Sequence, residues 1–381
     1  MAQQAADALP PGCDDLAAAL LAVRLIGVAF GAVDPAEFAT LQAVRTGPRG
    51  DGPGARALTA MTALATALVG GPAAEASALA REAFAGGGLE RLEITASVAL
   101  AVAVLSLGDP AEGLIAIDRY TAHARRQGEI LGSIGADLWG GFAHILAGDL
   151  VRAIERLDRA HEGERLWGTK LDAVMAYSAA FLAQAWLERG DPVRARSMIE
   201  RLDASDGTSD GARFWQAAHA ELLLAEGDPA AALGITLRLE PMRPPDTHPV
   251  WAPWRSLRAR ALAALGRREE ALALAAAEAD VARRVGAPWV AGRALRALAE
   301  LSEGDAAVEH ARAALELLEG SSAHLELAKA RAALAGALAA TGRADEAEPF
   351  ARGARELAAA CGADFLAARL EQPSQLVHDS D

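Results

Sequence analysis

The apolar positions of this chain do not describe strands. No cluster of Val, Ile and aromatic residues bounded by turns persists along it. Much of the apolar content is Ala, the strongest helix former and the residue that lets backbones pack closely. The most apolar stretch, 94–107, is too short and too rich in Ala for a membrane span and reads as a buried helix. What punctuates the pattern is a turn that returns nine times, at Gly31, Gly71, Gly108, Gly148, Gly190, Gly227, Gly266, Gly304 and Gly342. The intervals are 40, 37, 40, 42, 37, 39, 38 and 38 residues, the mark of stacked helical hairpins.

The chemistry at these turns agrees. Gly108-Asp109-Pro110, Gly190-Asp191-Pro192 and Gly227-Asp228-Pro229 repeat one solution. Gly ends a helix, Asp caps the next, and Pro occupies its first position, where no N–H is needed. Asp34-Pro35 and Gly71-Pro72 are partial copies, and Gly148-Asp149 and Gly304-Asp305 keep the first two residues. Small residues recur five positions after the glycine, at Ala36, Ala76, Gly113, Ala153, Ala195, Ala232, Ala271 and Ala347, with Glu309 the exception. Seven positions before it stand Ala101, Gly141, Ala183, Ala220, Ala259, Ala297 and Ala335; the first two turns, with Arg24 and Leu64, do not conform. Such positions let the two helices of a hairpin approach. The prediction is an all-α protein: a right-handed α-solenoid of tetratricopeptide-like hairpins over residues 1–372, followed by a disordered acidic tail at 373–381.

Three connections depart from the rule. Residues 46–54 and 203–211 are polar and Gly-rich. Residues 241–253 hold five prolines and cannot form a continuous helix. That last segment either separates two sub-arrays or is a long link between repeats.

Charge narrows the function. The formal net charge of −14 opposes a nucleic-acid or anionic-membrane surface. Lys170 and Lys329 are the only lysines. Cys13 and Cys361 form neither a disulfide framework nor a metal motif, which fits a reducing cytoplasm. The N-terminus has no basic region followed by an apolar core, so it does not read as a secretory signal.

From about Pro288 to Leu370 the chain resembles a known family. The stretches PWVAGRALRALAEL and EHARAALELLEGSSAHLELAKARAALAGALAATGRADEAEPFARGARELAAACGADFLAARL look like the helical-repeat region of large ATP-binding LuxR-type, or MalT-like, regulators of actinobacteria. The run 317–342 is the most specific part. The resemblance implies a sensor arm between a nucleotide-binding module and a DNA-binding helix-turn-helix. Neither module is visible here, and only EQPSQLVHDSD follows Leu370. A fragment, a truncated frame and a free-standing sensor all fit that reading.

Candidate chemistry is sparse. The stretch GERLWGTK (163–170) has Thr and Lys in the reverse of the phosphate-loop order and falls at a helix-to-helix turn. The eight histidines include no His-Glu-x-x-His pair, and no nucleophile elbow is present. The expectation is therefore no enzyme activity, no cofactor and no metal. The aromatics say more. All seven tryptophans lie between Trp139 and Trp289. Counting back from each turn glycine places Phe142, Tyr177, Gln184, Phe214, Glu221, Arg260 and Lys329 on the groove side of the first helices. These are the predicted groove residues for a protein or small-molecule effector. The rings either form that platform or plug gaps left by abundant Ala. Arg255, Arg258, Arg260, Arg293 and Arg296 either meet an acidic partner or form a solvated face balancing nearby acids. The function predicted is the effector-sensing or protein-interaction arm of a LuxR-type regulator. A free-standing scaffold is the alternative, and homo-oligomerisation stays open.

Overall fold

The computed structural model describes residues 8–30, 44, 50–87, 89, 95–167, 172–202, 207–242 and 246–371. Gly31, Asp34, Pro35, Ala36, Lys170 and the tail 373–381 lie outside them. Eighteen α-helices and two short 3-10 turns account for the regular structure of the described residues, with no strand. They are α1 (Asp14–Phe30), α2 (Pro53–Leu68), α3 (Ala73–Phe84), α4 (Thr95–Gly108), α5 (Pro110–Gln127) and α6 (Ile130–Ala147), then α7 (Leu150–Trp167), α8 (Asp172–Arg189), α9 (Pro192–Glu200), α10 (Asp210–Ala225), α11 (Pro229–Leu239) and α12 (Trp254–Ala264). The array ends with α13 (Arg268–Val285), α14 (Pro288–Leu301), α15 (Gly304–Leu318), α16 (His324–Ala340), α17 (Ala344–Cys361) and α18 (Asp364–Glu371). Consecutive pairs from α2/α3 to α16/α17 form eight antiparallel hairpins, the arrangement of an α-solenoid.

The repeated turn works as its chemistry requires. Asp109, Asp149, Asp191 and Asp228 each accept a backbone N–H of the helix they open, at 2.9–3.1 Å. Gly148, Gly190, Gly227, Gly266 and Gly342 are left-handed, with φ between 77° and 86°. Two turns differ. The left-handed residue at the α2/α3 turn is Gly70 rather than Gly71, and Gly108 remains the last residue of α4.

The small-residue register is a packing register. Ala76, Ala153, Ala195, Ala232, Ala271 and Ala347 are buried, as are Ala101, Ala183, Ala220, Ala259 and Ala335, whereas Glu309 is exposed. One apolar cluster runs from Ala22 to Ala347. A second joins α10, α11 and α12 across the proline-rich connection. Among the described residues one helix, Ile130–Ala147, is long and apolar enough to cross a membrane, and it is mostly buried in this packing.

The array coils tightly enough to touch itself. Thr247 Oγ1 donates to the Leu68 carbonyl at 2.7 Å, and Trp289 Nε1 donates to the Leu107 carbonyl at 3.0 Å. Ser322 Oγ donates to Asp109 at 2.5 Å, and Arg189 reaches Asp364 at 3.2 Å. A Cβ on Gly148 would fall 2.5 Å from Leu325 N, and one on Gly190 would fall 2.4 Å from Phe365 Cβ. Only glycine at these left-handed turns lets the next coil approach. Three of these contacts join residues 175, 179 and 182 apart, so about four and a half hairpins complete one superhelical turn. The concave face is thereby closed into a lumen.

Candidate functional site

The seven groove residues counted from the turns separate into two sets. Phe142, Tyr177 and Phe214 share a face of α6, α8 and α10, but that face is covered. The connection before α12 turns inward and places Trp251 against it. Trp251 stacks on Trp139 with ring centres 5.9 Å apart and planes 3° apart, and meets Phe214 edge-on at 5.2 Å. Phe142 and Phe181 pack at 4.9 Å in the same cluster. A buried polar clasp fixes the arrangement. Tyr177 Oη donates to Asp210 at 2.8 Å, Arg213 Nε donates to the same carboxylate at 3.0 Å, and Arg213 also donates to the Trp251 carbonyl. Phe142, Tyr177 and Phe214 are 2%, 1% and 7% exposed, so they offer no open platform. The physical reason is closure: the chain fills the wide part of its own groove with a proline-bounded segment, and the rings become core.

Gln184, Glu221, Arg260 and Lys329 lie elsewhere. Lys329 Nζ on α16 donates to Glu188 Oε1 on α8 at 2.5 Å, so first helices four hairpins apart meet where successive coils stack. Gln184, one helical turn before Glu188 on the same face, is half-buried. Lys329 also approaches Glu326 at 3.5 Å, and Arg296 bridges Glu326 at 3.0 Å and Glu300 at 2.7 Å. The result is an alternating chain of charges: Glu188, Lys329, Glu326, Arg296, Glu300. Burial opposes charge on Glu326, yet Arg296, Lys329 and Arg293 hold its carboxyl well below the ordinary range. Burial likewise opposes charge on Lys329, and Glu188 with Glu326 more than restores it. Glu221 differs. Burial raises its carboxyl, with Arg260 pulling the other way, and no ion pair within 4.0 Å joins it to a described residue. Arg293, Arg296, Glu188 and Glu326 complete a site that counting from the turns did not select. Glu326 stands three residues before Lys329 and Glu188 four after Gln184, spacings that put each pair on one face.

A cavity of about 170 Å³ opens beside this chain between α12, α13 and α14. Its walls are mainly Ala259, Ala263, Ala275, Ala294, Ala297 and Leu301, with Ser256, Arg260, Glu278 and Glu300 as polar members. Glu278 is 5% exposed and accepts the Ser256 N–H at 2.9 Å. Burial raises its carboxyl, against the pull of Arg293. Two other arginines of the same group are internal struts rather than a solvated face. Arg255 and Arg258 lie over the Trp254 ring at 4.3 and 4.6 Å, and Arg258 donates to Glu240 and to the Thr236 carbonyl.

One further polar group has catalytic residue types. His161 Nδ1 lies 2.9 Å from Ser178 Oγ, which donates to Glu164 at 2.6 Å. Serine sits between the other two, and it is fully buried, so no substrate reaches its hydroxyl. The group is a core network. The described residues of GERLWGTK, 163–167, end helix α7, which is not a phosphate-binding loop.

No family model matches the sequence, and no curated protein matches it. Solved structures do. The apo quorum sensor NprR of B. thuringiensis is similar at 17% identity and a TM-score of 0.47, over 85% of this chain and 92% of that one. A Rap protein complexed with competence and sporulation factor is similar at 13% identity and 0.47, over 83% and 95%. A signal transduction ATPase with a tetratricopeptide repeat sensor, PH0952 of Pyrococcus horikoshii, is similar at 14% and 0.41, over 80% of this chain and 49% of that one.

Proposed function

We propose that this chain is a non-catalytic, effector-sensing helical-repeat protein whose ligand surface is the charged lumen of its superhelix. The observation that carries this reading is the chain of alternating charges from Glu188 to Glu300, set inside the coil beside a cavity. Four of these charges, Glu188, Lys329, Glu326 and Arg296, are half-buried, which is costly unless each is paired. A scaffold using only its outer surface has no need of them. The ligand is a small molecule or peptide, and the net charge of −14 opposes a nucleic-acid partner. Lumen contacts join successive coils, as Lys329 and Glu188 do, so a ligand bound there favours one pitch over another. Residues 288–370 resemble the repeat region of LuxR-type regulators, which supports a role as the sensor arm of such a regulator in the cytoplasm. DNA contact would then belong to another domain.

Hydrogen exchange read by mass spectrometry, on the chain with stabilising hits from a metabolite and peptide screen, tests the lumen assignment. Protection is expected in α8, α10, α14 and α16. Protection confined to the second helices of the hairpins, or a screen without any binder, would sink it. Walker and helix-turn-helix segments in the native reading frame are the expected finding for the regulator reading.

A further inference from the structure

The cavity between α12, α13 and α14 carries a more specific assignment, which rests on the lumen being the ligand surface. Three ionisable side chains line it. Glu300 is engaged by Arg296 at 2.7 Å, and Glu278 by the Ser256 backbone at 2.9 Å. Arg260 is the third, and among the described residues it has no hydrogen bond or ion pair within 4.0 Å. It is exposed, as Glu300 is, so these two mark the mouth. Ala259, Ala275 and Ala294 form buried wall behind them.

We infer that this cavity binds a short aliphatic carboxylate, with the head group on the Arg260 guanidinium and the hydrocarbon tail between the alanines. A guanidinium presents a planar fork that a carboxylate meets with two parallel hydrogen bonds. The counter-charge that Glu221 supplies is weak. Glu221 acts on Arg260 from beyond 4.0 Å, and burial pushes the Glu221 carboxyl toward its neutral form. The wall fixes the tail. Beyond the mouth it is apolar except for Ser256, whose hydroxyl is committed to the Pro253 carbonyl at 3.1 Å, and Glu278, which is committed to the Ser256 N–H at 2.9 Å. At about 30 Å³ per water-sized group, 170 Å³ holds roughly five or six carbons. Alanine rather than leucine at Ala259, Ala263, Ala294 and Ala297 is what leaves that space.

The test is calorimetric titration of the whole chain with a series of n-alkanoates from butanoate to decanoate, and with hexanamide as the uncharged control. Affinity is expected to peak near hexanoate and to fall roughly tenfold or more for hexanamide. Arg260→Gln, at an exposed position, should lower hexanoate affinity by a similar factor while leaving the helical circular dichroism unchanged. Ala297→Leu should abolish binding by filling the tail site. Equal binding of hexanoate and hexanamide, or of wild type and Arg260→Gln, overturns the assignment of the head group. Affinity that rises steadily to decanoate overturns the cavity. If no alkanoate binds but another ligand protects the lumen helices from exchange, this assignment fails and the sensing role stands. If no ligand protects those helices, the sensing role fails with it.

Discussion

Replacing Trp251 by Ala should be among the most damaging single changes in the protein, although it lies outside every helix. Trp251 is 2% exposed and its ring meets Trp139, Phe142 and Phe214 at 5.9, 6.3 and 5.2 Å. A buried Trp hides about 150–250 Å². At about 25 cal/mol per Å², the larger figure gives about 6 kcal/mol and the smaller about 4. Large-to-small aromatic replacements in cores cost about 3–5 kcal/mol, because the cavity relaxes only in part. A loss of about 4 kcal/mol is the expectation, read as the shift of the urea midpoint at constant slope. The Trp139–Trp251 stack should also give a near-ultraviolet dichroism band that disappears in the variant. Unchanged stability would mean that the segment before α12 is a detachable occupant of the groove and not its core. In that case Phe142, Tyr177 and Phe214 would return as candidate ligand contacts.

Ala271→Leu, at a fully buried position between α12 and α13, should destabilise by about 1–3 kcal/mol through overpacking, and an unaltered melting curve would contradict the repeat register. Asp191→Ala removes the bond to the Arg194 N–H at 2.9 Å and should cost about 0.5–2 kcal/mol in chemical denaturation, whereas a neutral result would deny the cap any weight. Burial raises the Glu164 carboxyl to about 7, so the folded state keeps a proton that the unfolded state loses above its ordinary value near 4.5. Stability from this group is therefore highest below pH 4.5 and falls as pH rises to about 7, and Glu164→Gln should remove that fall. The stability difference between Glu164→Gln and wild type should grow from near zero at pH 4.5 to about 1–3 kcal/mol at pH 8. Taking that difference cancels the opposite contribution of His161, whose imidazole burial holds low. A difference independent of pH would refute the buried carboxyl.

What the sequence disclosed is what short-range contacts decide. A Gly-Asp-Pro turn needs only a helix end, a cap and a first-turn proline, all within three residues. Ala153 and Ala195 are fully buried on helices that pack against the first helix of their own hairpin. Such constraints repeat every 39 residues or so and can be counted. Counting also assigned Phe142, Gln184, Glu221 and Arg260, each six residues before a turn glycine, to one inner face. It did not reveal what covers that face. Covering depends on contacts such as Leu68 with Thr247 and Leu107 with Trp289, about 180 residues apart, which leave no periodic trace. One signal was present. Two tryptophans, Trp251 and Trp254, sit in or beside a connection with five prolines, and side chains of that size are seldom left to solvent.

Closure also explains why one register position carries two kinds of residue. An open groove would leave Phe142, Glu221 and Arg260 in similar, hydrated surroundings. A closed coil divides them. Where the inserted segment fills the interior, the six-before position must be apolar, and Phe142 is. Where the coil stays hollow, a half-buried charge is stabilised by a partner from the neighbouring coil, as Lys329 finds Glu188. Arg260 stands at the hollow part and has no such partner among the described residues. Exposed and unpaired, its guanidinium is free to meet an incoming carboxylate with two parallel hydrogen bonds.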